Sequence, residues 1–315
     1  MRVATDIGGT FTDLVYVNKN GEFDVAKDHT TPGEYEKGVM NVIKKSGISP
    51  TDIEMFIHGS TVVINTLTER KGVKVGLITT KGTKDVLEIA RGNRPDLYNF
   101  KYKKPEPFVE RHLRLEVEER LNYKGEVLVE LNKNDLSKAL NYFKQENVEA
   151  IAVVFLHSYK NAIHEQLAKE YIKENWPEVY VTASYEISKE WREYERTNTT
   201  VLNSYVKPIA NEYINKLNVE LEREKIHGTK YIMQSNGGAT TFEHAKEEPI
   251  QMVESGPVAG IYGAQVLGDL IGEKNIIAFD IGGTTAKCSL IHQSEVKITT
   301  DYFIEKSEVN SGYPI

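Results

Sequence analysis

The sequence predicts a mixed α/β protein of two domains, and three observations carry that prediction. Apolar, strand-like runs alternate with amphipathic helical stretches along most of the 315 residues, the pattern of sheets joined by helical crossovers. One short phrase is written twice, Asp-Ile-Gly-Gly-Thr at 6–10 and again at 280–284, each time between two apolar runs. Between the copies lies a long apolar stripe that reads as a helix linking the domains.

The elements follow in order. Residues 3–17 read as strand, tight turn at Gly8-Gly9, strand, and a third strand is expected at 23–28 after a turn at 18–21. Pro32-Gly33 leads into an amphipathic helix carrying Val39, Val42 and Ile43. Strand–helix units follow at 55–58 with a helix from Thr61, and at 73–79 with a helix at 83–89. The charged, proline-bearing stretch 93–131 reads as an insertion, with a hairpin of 113–119 and 126–131 around Lys124-Gly125. Strands are expected at 150–155 and 179–183. From 188 to 225, Val201, Leu202, Tyr205, Val206, Ile209, Tyr213, Leu217 and Leu221 recur at three- and four-residue steps. Pro208 inside that helix predicts a kink or split. The second domain continues with a strand at 231–234, a turn at Asn236-Gly237-Gly238, a helix from Ser255, the repeated hairpin at 276–291 and a strand at 296–300. The expected domains are 1–187 and 188–315.

Composition removes several function classes. The net charge is −7 with basic residues dispersed, which argues against nucleic acid as a partner. No apolar run reaches membrane-spanning length, and Asp6 comes too early for a secretory signal. A single cysteine, Cys288, forbids an internal disulfide and fits a reducing compartment. These features predict a cytoplasmic protein with no membrane partner.

The repeated hairpin carries the chemistry. Adjacent glycines, Gly8-Gly9 and Gly282-Gly283, let the backbone turn sharply and leave N–H groups open to an anion. Thr10 and Thr12, and Thr284 and Thr285, add hydroxyls. Asp6 and Asp280 end the first strand of each hairpin as hard oxygen ligands suited to Mg²⁺ held through water. Two such cradles facing across a cleft would hold a nucleoside triphosphate, and Asp6 and Asp280 are expected to share it. Neither Gly-x-x-x-x-Gly-Lys-Ser/Thr nor a Gly-x-Gly-x-x-Gly after the first strand is present, which excludes the competing phosphate loops. Before the second cradle, the helix from Ser255 shows small residues at Gly256, Ala259, Gly260, Gly263 and Ala264. Helical glycine costs roughly 1 kcal/mol against alanine, and close crossing by another helix at a hinge is the expected reason.

Cradle, small-residue helix and second cradle occur in the order seen in sugar kinases, chaperone ATPases and actin. Within that superfamily the chain resembles the hydantoinase A / 5-oxoprolinase / acetone carboxylase family. The stretches that carry the resemblance are DIGGTFTD at 6–13, HGSTVVINTLTERKGVKVGLITTKGTKDVLEIARGNRPDLY at 58–98, EISKEWREYERTNTTVLNSYVKP at 186–208, QSNGG at 234–238, ESGPVAGIYGA at 254–264 and DIGGTTAK at 280–287. It implies an actin-like (ribonuclease H-like) ATPase fold with two α/β domains around a cleft. It also implies ATP and Mg²⁺ as cofactors, and a cyclic amide or ketone whose carbonyl oxygen is phosphorylated before the carbon is attacked. A glycine-rich adenosine element follows the second cradle in the superfamily, and none follows Lys287. The chain therefore reads as an N-terminal portion with its second domain incomplete, inactive alone, and needing a hydantoinase B-type subunit or a C-terminal remainder.

Other residues gain weight from the resemblance. His58 ends a strand where ligands sit in α/β sheets, and reads as a site residue or as a satisfied structural histidine. Arg196 reads as a ligand for a substrate carboxylate or phosphate, or as part of a solvated charged face. Asn236 and Gly237 read as a substrate-lining loop or a plain turn. His164-Glu165 reads as surface, and Cys288 as core. Two rival functions are a small-molecule kinase that releases its phosphorylated product and a non-catalytic nucleotide-sensing module.

Overall fold

Strand β1 (Arg2–Ile7) turns back into β2 (Phe11–Val17), which turns again into β3 (Phe23–His29). The computed structural model describes residues 1–18, 20–92, 97–281, 286–299, 302–306 and 313–314. Helix α1 (Tyr35–Ser46) follows and buries Val39, Met40, Val42 and Ile43. It stops at Gly47, whose left-handed backbone (φ 71°) returns its N–H to the carbonyl of Lys44. Next come β4 (Met55–Ser60) and α2 (Val62–Thr68).

The middle of the chain supplies β5 (Val75–Thr80), α3 (Val86–Ile89), β6 (Arg114–Val117), β7 (Arg120–Leu121), β8 (Val127–Val129), α4 (Lys133–Gln145), β9 (Ala150–Val154), α5 (Ile163–Asn175), β10 (Tyr180–Ala183) and α6 (Ser184–Ile187). The long helix α7 (Glu193–Arg223) then leads to β11 (Thr229–Met233), β12 (Ala239–Thr241), α8 (Phe242–Glu247), α9 (Ser255–Ile271), β13 (Ile276–Ile281), β14 (Ala286–His292) and β15 (Glu295–Val296). Two short strands, β16 (Phe303–Ile304) and β17 (Tyr313–Pro314), pair antiparallel.

Packing divides the chain into two units that interleave in sequence. One comprises Met1–Asn65 and Ala210–Thr299, the other Thr66–Ile209 and Thr300–Ile315. This differs from the consecutive division at 187/188. The physical reason is β11, which pairs parallel with β4 and so joins the sheet of the first residues. The first unit holds a six-stranded mixed sheet in the order β12-β11-β4-β1-β2-β3 and a three-stranded antiparallel sheet β13-β14-β15. Its core includes Val3, Ile7, Leu14, Val39, Ile43, Phe56, Ile214, Leu217 and Ile232.

The second unit is built on a parallel sheet, β10-β9-β5-β6, around Leu77, Ile78, Val117, Phe143, Ile151, Val153, Val181 and Leu202. All six residues of β5 and all five of β9 are buried, as expected of parallel strands covered on both faces. The 93–131 stretch is therefore part insertion and part framework. Residues 114–117 form a sheet strand, and the hairpin is the shorter pair β7 and β8.

Helix α7 runs unbroken through Pro208, so the expected split does not occur. Two further expectations are corrected. His164 and Glu165 are buried, at 1% and 0% exposure, because they face the sheet from the first turn of α5. Cys288 is exposed. It pairs with Phe279 across β13 and β14, on the face that also leaves Ile277 and Leu290 exposed.

Candidate nucleotide site and family membership

Asp6 stands at the carboxyl end of β1, in register with Asp13 of β2 on one side and Gly59 of the parallel β4 on the other. Carboxyl ends of parallel strands are where α/β sheets place ligands. Helix α9 begins at the same place. Ser255 donates its hydroxyl to the carbonyl of Ser60 (3.3 Å), and the Ser60 N–H donates to Ser255 Oγ (3.4 Å). Two missing side chains make room for the Asp6 carboxylate. A Cβ on Gly59 would stand 2.6 Å, and one on Gly256 2.5 Å, from Asp6 Oδ1. Gly256 is thus explained by close approach of a carboxylate. At Gly260 and Gly263 no atom among the described residues comes within 4 Å of an added Cβ, so the expected helix crossing is not found there.

Asp6 Oδ1 is buried and has no hydrogen-bond partner among the described residues. Burial, then the charges of Asp13 and Asp280, push its pKa from 3.8 up to about 6, while Lys287 pulls the other way. Asp280 and Lys287 face each other in register across β13 and β14, and Lys287 pairs with Glu254 at the start of α9. The first and second hairpins therefore act electrostatically on one carboxylate, all within the first unit.

The first cradle is a tight turn. Gly8 N–H donates to the Phe11 carbonyl (2.9 Å), and Thr30 braces it by donating its hydroxyl to the Gly8 carbonyl (2.8 Å) and its N–H to the Thr10 carbonyl (2.9 Å). Gly9 and Thr10 are exposed at its tip and Gly8 is half-buried. Thr12 is not at the tip. It is fully buried, with its hydroxyl 3.2 Å from that of Thr30, and so secures the turn from inside. Gly282, Gly283, Thr284 and Thr285 of the second cradle lie outside the described residues.

His58 sits one step behind Gly59 and is fully buried. Its Nδ1 lies 2.8 Å from Thr5 Oγ1 and its Nε2 2.5 Å from the Tyr213 hydroxyl. Burial lowers its pKa to about 3 and raises that of Tyr213, so the ring is neutral near pH 7. Both nitrogens are occupied, which makes His58 a support beneath the Asp6 strand end and removes it as a proton donor to a ligand.

Arg196 is likewise enclosed. It lies in the second unit, 1% exposed, donating to the carbonyls of Glu190 (2.7 Å) and Phe155 (2.9 Å) over the ring of Tyr159. Beside it, buried Glu165 accepts from Phe155 N–H (2.8 Å), Ser184 Oγ (2.7 Å) and Tyr185 N–H (2.9 Å). Burial lowers the pKa of Arg196, with the Glu165 charge opposing, and raises that of Glu165. Nearby, Glu119 receives the Thr80 hydroxyl and the Nδ1–H of His164 (2.7 Å). This network had no local signal in the sequence, where its members look like surface charges.

Asn236 and Gly237 form the β11–β12 turn. Asn236 Oδ1 accepts the Gly238 N–H (2.8 Å), and Gly237 has φ +84° with a Cβ position 2.0 Å from the Tyr262 ring. The plain-turn reading accounts for both residues.

The mixed α/β sheets and the paired hairpins define an actin-like ATPase fold. The chain belongs to the hydantoinase/oxoprolinase family: the pattern of its N-terminal region matches residues 2–176, and a second pattern of the family matches residues 196–314. An uncharacterized protein of Methanocaldococcus jannaschii is 41% identical, over 100% of this chain and 48% of its own. Caprolactamase subunit alpha of Pseudomonas jessenii is 31% identical over 95% of this chain and 44% of its own. Among solved structures, nucleotide-free acetone carboxylase, described in connection with ATP-dependent acetone carboxylation, superposes with a TM-score of 0.86. It is 28% identical over 96% of this chain and 45% of that one. The ATP-dependent caprolactamase of P. jessenii superposes with a TM-score of 0.81 at 32% identity, over 92% of this chain and 43% of that one. The chain thus spans about half the length of these relatives. No helix among the described residues is long and apolar enough to cross a membrane.

Proposed function

We propose that this chain is the ATP-handling part of an enzyme that opens a cyclic amide by phosphorylating its carbonyl oxygen and then hydrolysing the activated carbon. The observation that carries the reading is the environment of Asp6: an unpartnered carboxylate oxygen, walled by two glycines, at a strand end beside the Gly8–Phe11 turn and within the field of the second hairpin. The turn's exposed backbone at Gly9 and Thr10 suits an anionic phosphoryl group. Asp6 and Asp280 supply oxygen ligands of the kind Mg²⁺ takes. Among the described residues no group of three or more metal-ligating side chains converges, so Mg²⁺ would arrive with the polyphosphate and be held by Asp6, through water, rather than occupy a finished protein site. When bound, it would neutralise phosphate charge. The protein's own part is to orient the triphosphate, keep Asp6 shielded, and support that strand end through His58 and Tyr213.

The cyclic-amide reading is supported by the likeness to a caprolactamase, and a ketone-carboxylating reading by the likeness to acetone carboxylase. Because relatives are named as subunits, a hydantoinase B-type partner belongs to the proposal. The test is phosphate release from Mg·ATP by the protein, purified with whatever subunit it assembles with, in the presence of 5-oxoproline, hydantoin, caprolactam, or acetone with bicarbonate. Release stimulated by one of the cyclic amides, with the ring-opened product detected, supports the proposal. Stimulation by acetone with bicarbonate alone favours the carboxylase, and release with none of them refutes both.

A further inference from the structure

The two hairpins are not equivalent. Aligned on their shared phrase, the first ends Asp-Ile-Gly-Gly-Thr-Phe-Thr-Asp and the second Asp-Ile-Gly-Gly-Thr-Thr-Ala-Lys, so Lys287 stands where the first copy has Asp13. The structure puts the two residues at matching places: Asp13 in register with Asp6, and Lys287 in register with Asp280. Each is held by an ion pair, Asp13 with Lys27 (2.8 Å) and Lys287 with Glu254. Glu254 takes a left-handed backbone (φ 59°) immediately before the first residue of α9. The pair is accessible, with side chains 28% and 21% exposed for Lys287 and Glu254.

A polyphosphate approaching Asp6, Asp13 and Asp280 meets like charge, which Mg²⁺ at Asp6 offsets only in part and a protein cation beside Asp280 would offset further. Lys287 is tied to this site by geometry: its partner Glu254 stands two residues before Gly256, whose missing side chain makes room for the Asp6 carboxylate. We propose that Lys287 is the side chain that contacts the phosphoryl chain, and that Glu254 is its counter-ion, displaced when that chain binds. The proposal deepens the ATP reading above and rests on it. A lysine ammonium is a point charge able to change partner from carboxylate to phosphate, and exchange of one charge-assisted partner for another leaves it satisfied throughout.

The two residues predict effects of opposite sign. Calorimetric titration with Mg·ATP over a series of salt concentrations is the measurement, with thermal melts as a check of folding. Lys287→Met should weaken binding about tenfold or more, the loss of one charge-assisted contact, and flatten its salt dependence. Lys287→Arg should retain the salt dependence. Glu254→Gln removes the competitor and should tighten binding a few-fold, about the reverse of a surface ion pair's strength. Equal affinity and equal salt dependence in Lys287→Met would overturn the proposal, as would weaker binding in a folded Glu254→Gln. Failure of the unaltered enzyme, purified whole and with whatever subunit it assembles with, to bind Mg·ATP at all would instead remove the ATP reading, and this proposal with it.

Discussion

Asp6 and His58 sit one register step apart on neighbouring strands, and burial pushes their pKa values in opposite directions. His58 stays neutral in the fold down to about pH 3 but takes a proton near 6.5 when unfolded. The unfolded state therefore binds more protons in that window, and stability falls as pH falls, by about 1.4 kcal/mol per pH unit. Asp6 keeps its proton up to about pH 6 in the fold and loses it near 3.8 when unfolded. Here the native state binds more protons, so stability falls as pH rises across that interval. The two contributions oppose each other between about pH 4 and 6. In denaturant titrations without divalent cations, His58→Gln should leave a stability that rises as pH falls from 6 toward 4. Asp6→Asn should leave one that falls over the same range. At pH 8 Asp6→Asn should also be more stable than the unaltered protein, by on the order of 3 kcal/mol at most, the equivalent of the carboxyl's displacement. A loss of stability at pH 8 would mean that the ionised carboxylate is favourably held, contrary to the burial argument.

At the scale of elements, glycine positions in and beside α9 separate packing from coincidence. Gly237 combines a positive φ with a Cβ position 2.0 Å from the edge of the Tyr262 ring, so Gly237→Ala should cost about 1–3 kcal/mol through strain and overpacking. Removing the ring with Tyr262→Ala in the same chain should recover part of that loss, and a double-mutant cycle showing no coupling would rule out the clash. Gly260 has open surroundings among the described residues. Gly260→Ala should therefore raise stability by up to about 1 kcal/mol, the ordinary helix preference. A clear loss in thermal melts would reveal a backbone packed there after all. Elements of this kind were well marked in the sequence. The stripe of α7 and the start of α9 at Ser255 are local patterns, and local patterns survive being read one window at a time. Pro208 does not split α7, because a proline's local preference can be overridden by packing, and α7 buries Leu202 and Val206 before it and Ile214 and Leu217 after it.

At the scale of the whole molecule, topology and burial of charge were the least legible features. β11 joins β4 across a long stretch of chain, and no window of sequence shows that pairing. The strand 114–117 was read as half of a hairpin because its partner in the parallel sheet is β5, far upstream. The repeated phrase marked Asp6, Gly8 and Asp280 as candidates, and the structure puts Asp6 at a strand end beside the Gly8 turn; their role as ligands is proposed. The sequence left His58 open between a site residue and a structural histidine, and read Arg196 as a ligand or part of a solvated face; the burial of both depends on tertiary contacts that no local window shows. The Trp191–Arg196 segment looks like a solvated face, yet its last residue is core. Arg196 offers the decisive contrast between a ligand-binding and a structural role. Its guanidinium joins two backbone carbonyls from different segments and shares a buried region with the Glu165 charge. Arg196→Met would leave those carbonyls short of donors and Glu165 without its cation, a change of the kind that costs about 3–5 kcal/mol. Arg196→Lys should restore part of this, since it keeps the charge but cannot reach both carbonyls as a fork does. Adding Glu165→Gln to Arg196→Met should cost less than the two single losses together, because the uncompensated charge is then gone. Denaturant unfolding of the four variants measures these terms, and Mg·ATP titration of whichever remain folded should give unchanged affinity. A variant at 196 that melts normally but loses affinity for a carboxylate or phosphate ligand would return Arg196 to the binding site and refute its structural assignment.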